Sequence, residues 1–304
     1  MKSYKEIMNE TPTEGFLKEL SEDELALLKT TLFNAYKEIH KICSENELNV
    51  ILVGGSLLGA IRHNGFIPWD DDFDLAMSRK DFEKLKILFD KILGNKYELL
   101  APNYKGNAKQ RFPQILIRNT KLTTLHEIRD DIRKEMRIDI FIIENVPENK
   151  IYRYLKGYVC NALMYIAGLV QSYEWKNDVL EQFLSQTVDG AKFYKKRLKI
   201  GRLFSFFESS RWYDIIDKMV QYKKQTTLSS LPTGRKHYFG EILPTKWLFP
   251  TIKWKFENYD ADIPNGYDAY LKNLYGDYMQ IPPVEKREKH FIRDICFDTT
   301  KEGR

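Results

Sequence analysis

The 304-residue chain can bury a full core as one large domain or two small ones, and 43% hydrophobic with 30% charged residues excludes a disordered or fibrous protein. Its 48 basic against 43 acidic side chains give a net charge of +5, which suits a polyanionic substrate or an anionic surface but does not demand nucleic acid. Cys43, Cys160 and Cys296 are too far apart in sequence for a disulfide framework or a zinc cluster, so a reducing compartment is expected.

The first fifteen residues lack the apolar run of a secretory signal, and a cytoplasmic location is expected. Ser21-Glu22-Asp23-Glu24 is a capping box. Leu25, Leu28, Leu32, Ala35, Tyr36, Ile39 and Cys43 then follow at helical spacing, which predicts a long amphipathic helix ending near Asn46, with His40 at its surface. The apolar, β-branched run 49–53 predicts a buried strand. Gly54 and Gly55 permit a tight turn, and Ser56 is placed to cap a helix through Leu57, Leu58, Ala60 and Ile61. A strand, a glycine turn and a helix N-terminus in succession present backbone N–H groups that suit a phosphate.

After Pro68 the chain is expected to run extended. The alternation in Asp72-Phe73-Asp74-Leu75 puts two carboxylates on one face and two apolar side chains into the core. Paired carboxylates repel unless a cation lies between them, and Mg²⁺ takes carboxylate and phosphate oxygens together. A phosphate cradle beside an acid pair is the basic equipment of phosphoryl or nucleotidyl transfer. The plainer alternative is an acidic surface turn after a helix.

Ser78 is expected to cap a second helix with Phe82, Leu85, Leu88, Phe89 and Ile92 on one face and Gly94 as its stop. Short strands are predicted at 97–101, 112–118 and 122–125. Lys105, Lys109, Arg111 and Arg118 are candidates for phosphate contacts, or else ordinary solvated cations. Arg137 to Ile143 reads as a central strand interrupted on one face by Arg137 and Asp139. A carboxylate there is costly without a charge partner or a metal, so Asp139 is either an active-site acid or a structural residue paired with an arginine.

From 151 to 231 the composition predicts helices throughout. The apolar run 157–170 is 14 residues long, short of the ~20 that span a bilayer, which favours a buried helix. Residues 191–212 interleave Lys192, Lys195, Lys196, Arg197, Lys199, Arg202 and Arg211 with Phe193, Leu198, Leu203, Phe204, Phe206 and Phe207. Such a basic amphipathic stretch suits peripheral contact with an anionic membrane, or a solvated face above a core face. The last segment, rich in proline and aromatics, predicts short strands and irregular structure closing over a pocket.

Gly55-Ser56, Arg62-His63, Gly65-Phe66, Pro68-Trp69-Asp70 and Asp72-Phe73-Asp74 together resemble the LicD family. Ile138-Asp139-Ile140-Phe141, Tyr275-Gly276-Asp277-Tyr278, Pro282-Pro283, Arg287 and His290 resemble later parts of the same pattern. The family is more distantly similar to fukutin-type enzymes, and its core resembles the nucleotidyltransferase fold shared with DNA polymerase beta.

The resemblance implies an α+β fold. A mixed-sheet nucleotidyltransferase core would occupy 1–148, a helical region for acceptor or membrane-surface contact 149–235, and a closing segment 236–304. It also implies metal-dependent transfer of a phospho-alcohol, phosphocholine first, from a CDP-alcohol to a hydroxyl of a cell-surface or lipid-linked glycan, releasing CMP. Asp72 and Asp74 would then hold Mg²⁺ or Mn²⁺, with Asp70 as a third ligand. Gly55, Ser56 and Arg62 would hold the diphosphate, and Asp139 would complete the metal site or take the acceptor's proton. Trp69, Trp247 and Trp254 are candidates for an aromatic cage around choline. The alternatives are nucleotidyl transfer from an NTP onto a small molecule or protein, and a non-catalytic glycan- or membrane-binding module.

Overall fold

A computed structural model describes residues 4–105, 108–284, 287 and 291–301. After α1 (Tyr4–Glu10), the capping box starts α2 (Glu22–Glu45) as expected: Ser21 Oγ accepts from Glu24 N and the Glu24 carboxylate accepts from Ser21 N. The Leu28, Leu32, Tyr36 and Ile39 stripe of α2 is buried in the main core. His40 departs from expectation. It is buried, and its ring nitrogens lie 2.8 Å from Tyr259 Oη and 2.8 Å from Asp262 Oδ2, because a C-terminal hairpin covers this helix face.

The core continues through β1 (Val50–Leu52), α3 (Gly54–His63), β2 (Asp74–Ser78), α4 (Arg79–Ile92), β3 (Tyr97–Leu100), β4 (Gln114–Ile117), β5 (Lys121–Thr124) and β6 (Arg137–Asn145). The main sheet runs β1-β2-β6-β4-β3. It is mixed: β2 and β6 are parallel, with Asp74 opposite Asp139, while the β1–β2, β4–β6 and β3–β4 pairs are antiparallel. Ser78 caps α4 by accepting from Asp81 N, and Phe82, Leu85 and Phe89 are buried. Ile92 is 42% exposed instead, and Leu93, one residue further round the helix, is buried.

Two local expectations change. The residues around Pro68 are not extended, since Asp70 N donates to Ile67 O at 3.0 Å and closes a turn with Pro68 at its second position, where a fixed φ is an advantage. β2 therefore starts at Asp74, and Asp72 precedes it. The alternation survives, with Phe73 and Leu75 both fully buried. Phe73 packs among Tyr36, Phe66 and Phe256 at ring separations of 4.8, 5.5 and 5.4 Å. That aromatic anchor fixes the backbone between the two aspartates.

A helical insertion follows: α5 (Lys150–Glu174), α6 (Asp178–Ser185), α7 (Val188–Phe204) and α8 (Ser209–Val220). Cys160, Met164, Ala167 and Val170 of α5 pack on Trp212, Tyr213 and Ile216 of α8 in a second core. Tyr158, Val159 and Tyr165 remain exposed, so α5 is half-buried rather than buried, and no helix among the described residues is long and apolar enough to cross a membrane. The region is also not helical throughout: β7 (Leu228–Ser230) pairs with the end of β6, Glu144 facing Ser230. Arg79 joins the two parts by donating to Glu144 and, at 2.7 Å, to Asp217 of α8.

The closing segment comprises α9 (His237–Gly240), β8 (Ile242–Pro244), α10 (Thr245–Leu248), β9 (Thr251–Phe256), β10 (Tyr259–Pro264), α11 (Tyr267–Tyr275) and β11 (Ile292–Cys296). β8 pairs with β7, β11 with β5, and the β9–β10 hairpin lies against α3, where Trp254 Nε1 donates to Ala60 O at 3.2 Å. The architecture is α+β on a mixed sheet, with the helical insertion and closing segment the sequence predicts.

Candidate active site

β1 ends at Leu52 and α3 begins at once, with Val53 as its extended N-cap residue. Ser56 is thus not the cap but sits in the first turn, and its Oγ accepts from Asp74 N at 2.8 Å. Gly55 N donates to Asp74 Oδ2 at 3.1 Å. The start of α3, expected to face a phosphate, here holds the carboxylate of Asp74, an anion that the helix N-terminus favours for the same reason. Gly54 has φ +53°, a conformation glycine adopts without a Cβ penalty, and a side chain there would collide with Asp74.

Gly55 is where the acids meet. A Cβ on it would lie 2.8 Å from Asp70 Oδ2 and 3.8 Å from both Asp72 Oδ1 and Asp74 Oδ2. The missing side chain leaves a cradle faced by three carboxylates. Among the described residues, no three acidic, histidine or cysteine side chains are close enough to enclose an ion by themselves. A hard-oxygen donor set of this kind fits Mg²⁺, which keeps water and substrate phosphate in its shell rather than a full protein cage.

The acids floor a cleft of about 270 Å³ roofed by Tyr275, Asp277, Tyr278 and Arg287 of the closing segment, with Arg235 from the loop just before it. Arg62, expected at the diphosphate, lines this cleft and also staples its roof: its Nη1 donates to Tyr278 O at 2.8 Å and Gln280 O at 3.3 Å. Trp69 lines the cleft and carries the Arg287 guanidinium 4.0 Å from its ring centre. Trp247 and Trp254 are not there; Trp247 packs on Gly266, and Trp254 braces α3. The Tyr275 hydroxyl is pushed well above its usual range by burial first and by Asp74 second. His290 lies outside the described residues. Sequence reasoning missed Arg235, whose signal, an arginine after Pro232-Thr233-Gly234, gives no hint that the loop returns to the acids.

Asp139 is Asp74's neighbour across the sheet but opens onto a second cleft of about 240 Å³, shared with Asp71, Asp72 and Arg137. Its Oδ1 accepts from Gln114 Nε2 at 2.8 Å. Burial raises its pKa, opposed by Arg137, the Gln114 hydrogen bond and Arg111. Arg137 does not pair with it directly: its Nη2 donates to buried Glu127 at 2.8 Å. Of the four cations singled out as phosphate contacts, Arg118 bonds Gly94 O and Glu98, and Lys105 pairs with Asp90. Lys109 offers its carbonyl to Gln171, while Arg111 faces a larger cavity beyond Arg137.

Residues 47–152, from just before β1 to the start of α5, match the LicD/FKTN/FKRP nucleotidyltransferase domain model. The chain is 26% identical over 264 residues to the lipopolysaccharide cholinephosphotransferase LicD of Haemophilus influenzae, covering 86% of this chain and 93% of that protein. It is also 37% identical over 51 residues to an uncharacterized protein of Rickettsia prowazekii, covering 17% of this chain and 19% of that one. β1, the glycine turn that starts α3, the Asp70–Asp74 stretch and the Asp139 strand all fall within the matched residues. Residues 47–152 of this chain are thus similar to the LicD/FKTN/FKRP nucleotidyltransferase domain.

Proposed function

We propose that the protein transfers a phospho-alcohol, phosphocholine first among the candidates, from a CDP-alcohol to a hydroxyl of a lipopolysaccharide-type or other surface glycan, releasing CMP. The observation that carries this reading is the gathering of Asp70, Asp72 and Asp74 over Gly55, under a roof that brings Arg235 and Arg287 into the same cleft. The similarity to a cholinephosphotransferase over most of the chain supports the choice of transferred group.

Asp72 and Asp74, with Asp70 beside them, are the residues to hold Mg²⁺ or Mn²⁺, and such an ion supplies charge neutralisation on the donor phosphates. Gly55 leaves room for the donor, and Ser56 and the Gly55 N–H fix Asp74. Arg235 and Arg287 complement phosphate charge, while Arg62 holds the roof in place. Trp69, Tyr275 and Tyr278 offer aromatic faces for a cationic head group, and Trp69 already carries one cation. Asp139, raised by burial, accepts the proton of the attacking hydroxyl. Residues 1–148 would act as the catalytic core, 149–235 as the acceptor side and 236–304 as the closing segment, in a cytoplasmic protein working at the inner face of the membrane.

The test is to incubate purified protein with Mg²⁺ and a panel of CDP-alcohols and NTPs and to identify the phosphate species released. CMP from one CDP-alcohol, absent with EDTA and absent in Asp74→Asn, is the expected result. Pyrophosphate from an NTP would replace this reading with nucleotidyl transfer. No turnover of any donor, with glycan binding retained, would leave a binding module.

A further inference from the structure

A second cavity among the described residues is larger than the acid cleft. It has a volume of about 770 Å³ and lies between the sheet end at Arg111, Phe112 and Arg137 and the helices α5, α7 and α8 of the insertion. It shares Thr124, His126 and Arg137 with the cleft that holds Asp139 and Asp72. The two spaces therefore share a wall at Arg137, and Asp139 lines the smaller one.

The wall has a distinct chemistry. Arg111, Arg137 and Arg197 line it, against one carboxylate, Glu127, already engaged by Arg137 at 2.8 Å and by Thr124 Oγ1 at 2.9 Å. The cavity thus carries an excess of positive charge in a partly desolvated space, where an anionic group gains more than it would in water. Arg197 is held rigid by Gly168 O at 3.0 Å and Ser172 Oγ at 2.8 Å, and Arg111 lies 5.3 Å over the Phe112 ring. A fixed guanidinium loses little freedom on gripping an oxyanion. The remaining wall is polar and aromatic. Tyr213 Oη donates to Gln171, and Gln171 donates in turn to Lys109 O. Trp175, 9% exposed, lines the cavity with its buried indole Nε1 lacking an acceptor among the described residues. Amide, indole and arginine groups beside aromatic faces suit a sugar, and the charge suits an acidic one.

We infer that this cavity is the acceptor site and that it takes a carbohydrate bearing an anionic group, a phosphate or a carboxylate, held by Arg111 and Arg197 with a hydroxyl presented at Asp139. The inference rests on the transfer reading above. In the step it serves, the acceptor oxygen forms a bond to the phosphorus of the phospho-alcohol, the bond from that phosphorus to CMP breaks, and the acceptor's proton passes to Asp139.

Equilibrium binding tests the site apart from turnover. Glucose 6-phosphate, glucose and inorganic phosphate are titrated into the protein by calorimetry or ligand-observed NMR, with and without saturating CMP and Mg²⁺. Glucose 6-phosphate should bind at least about tenfold more tightly than either glucose or phosphate alone, since one charge-assisted contact is worth about that factor. CMP should not displace it. Arg111→Gln should lose about tenfold for the phosphorylated sugar while leaving glucose unchanged, and Arg111→Lys should recover part of the loss. Equal binding of glucose, equal binding of inorganic phosphate, or an Arg111→Gln variant with wild-type affinity would each overturn the inference. Competition by CMP would assign the cavity to the donor nucleotide and overturn it as well. If the sugar binds as expected but no donor is turned over, the anionic-sugar site stands, while the transfer reading and with it the acceptor role fall.

Discussion

At the scale of single residues, Gly55 makes a sharper test than any of the aspartates. It sits in the first turn of α3 at negative φ, where alanine is favoured over glycine by up to about 1 kcal/mol. The added methyl meets only the mobile end of Asp70 closely. Gly55→Ala should therefore fold with unchanged or slightly raised stability, yet lose at least ~100-fold in turnover because the methyl fills the space the acids face. A thermal melt and a rate measurement on the same preparation check both halves, and an active Gly55→Ala enzyme would move the chemistry elsewhere. Asp139 supplies the second residue-scale prediction. Asn keeps its shape and can turn its carbonyl to Gln114, but cannot take a proton, so Asp139→Asn should lose at least ~100-fold in kcat with KM nearly unchanged. If only the melting temperature falls and kcat holds in the folded fraction, Asp139 braces the sheet and does nothing more. The aspartates were legible in the sequence because alternation beside an apolar strand is a local pattern. Arg235 was not, since it reaches the acids from a loop more than a hundred and fifty residues along the chain. The role of Ser56 is not legible in the sequence, because a cap and a first-turn hydroxyl look alike until the partner strand is in place.

At the scale of elements, local signals carried furthest. The capping box and the helical stripe of α2 and the apolar runs of β1 and β6 gave their elements to within a few residues. The errors came where a distant segment decided the outcome: His40 was buried by the hairpin of residues 251–264, and β7 formed because β6 had an edge to complete. The helix α7 shows the same dependence. Its basic stretch divides as an amphipathic helix should, with Lys192, Lys195, Lys196, Lys199 and Arg202 exposed and Tyr194 buried. Arg197 is turned inward to bond Gly168 and Ser172 of α5. Five exposed cations on one short helix should attach the protein to vesicles containing anionic lipid, each worth about 1 kcal/mol near the surface. Binding should fade as salt rises above the physiological range, where the screening length falls below ~8 Å. Cosedimentation with anionic and neutral vesicles at increasing salt measures this. Salt-resistant binding would point instead to the exposed Ile151, Tyr154, Leu155 and Tyr158 face of α5.

At the scale of the whole molecule, the joint between the sheet, the helical insertion and the closing segment is where pH should be felt. Glu241, at the end of α9, is 1% exposed and accepts from Lys236 N at 2.9 Å, with its carboxyl packed against the backbone of Gly234. The groups facing it, Arg111, Lys236 and Arg235, all favour the charged form, yet burial outweighs them and pushes its pKa up from 4.5 to about 7. The folded protein thus holds this proton more tightly than the unfolded chain does. The resulting stability is fully present below about pH 4.5, where both states are protonated, and is lost as pH rises through 7. The shift corresponds to at most ~3 kcal/mol. Melting temperature should accordingly decline between about pH 5 and 8, with Glu241→Gln, which mimics the protonated carboxyl, declining less because Glu144, also raised to about 7 by burial, still titrates there, and exceeding the wild type at the alkaline end. The loop beside Glu241 carries Arg235 into the acid cleft and His237 into the large cavity. Ionisation of Glu241 should therefore loosen both spaces together, and the wild type should lose donor and sugar affinity in parallel above pH 7 while Glu241→Gln keeps both. A Glu241→Gln protein whose melting curve follows the wild type at every pH would show that this carboxyl is already ionised in the fold and that the joint owes its stability to packing alone.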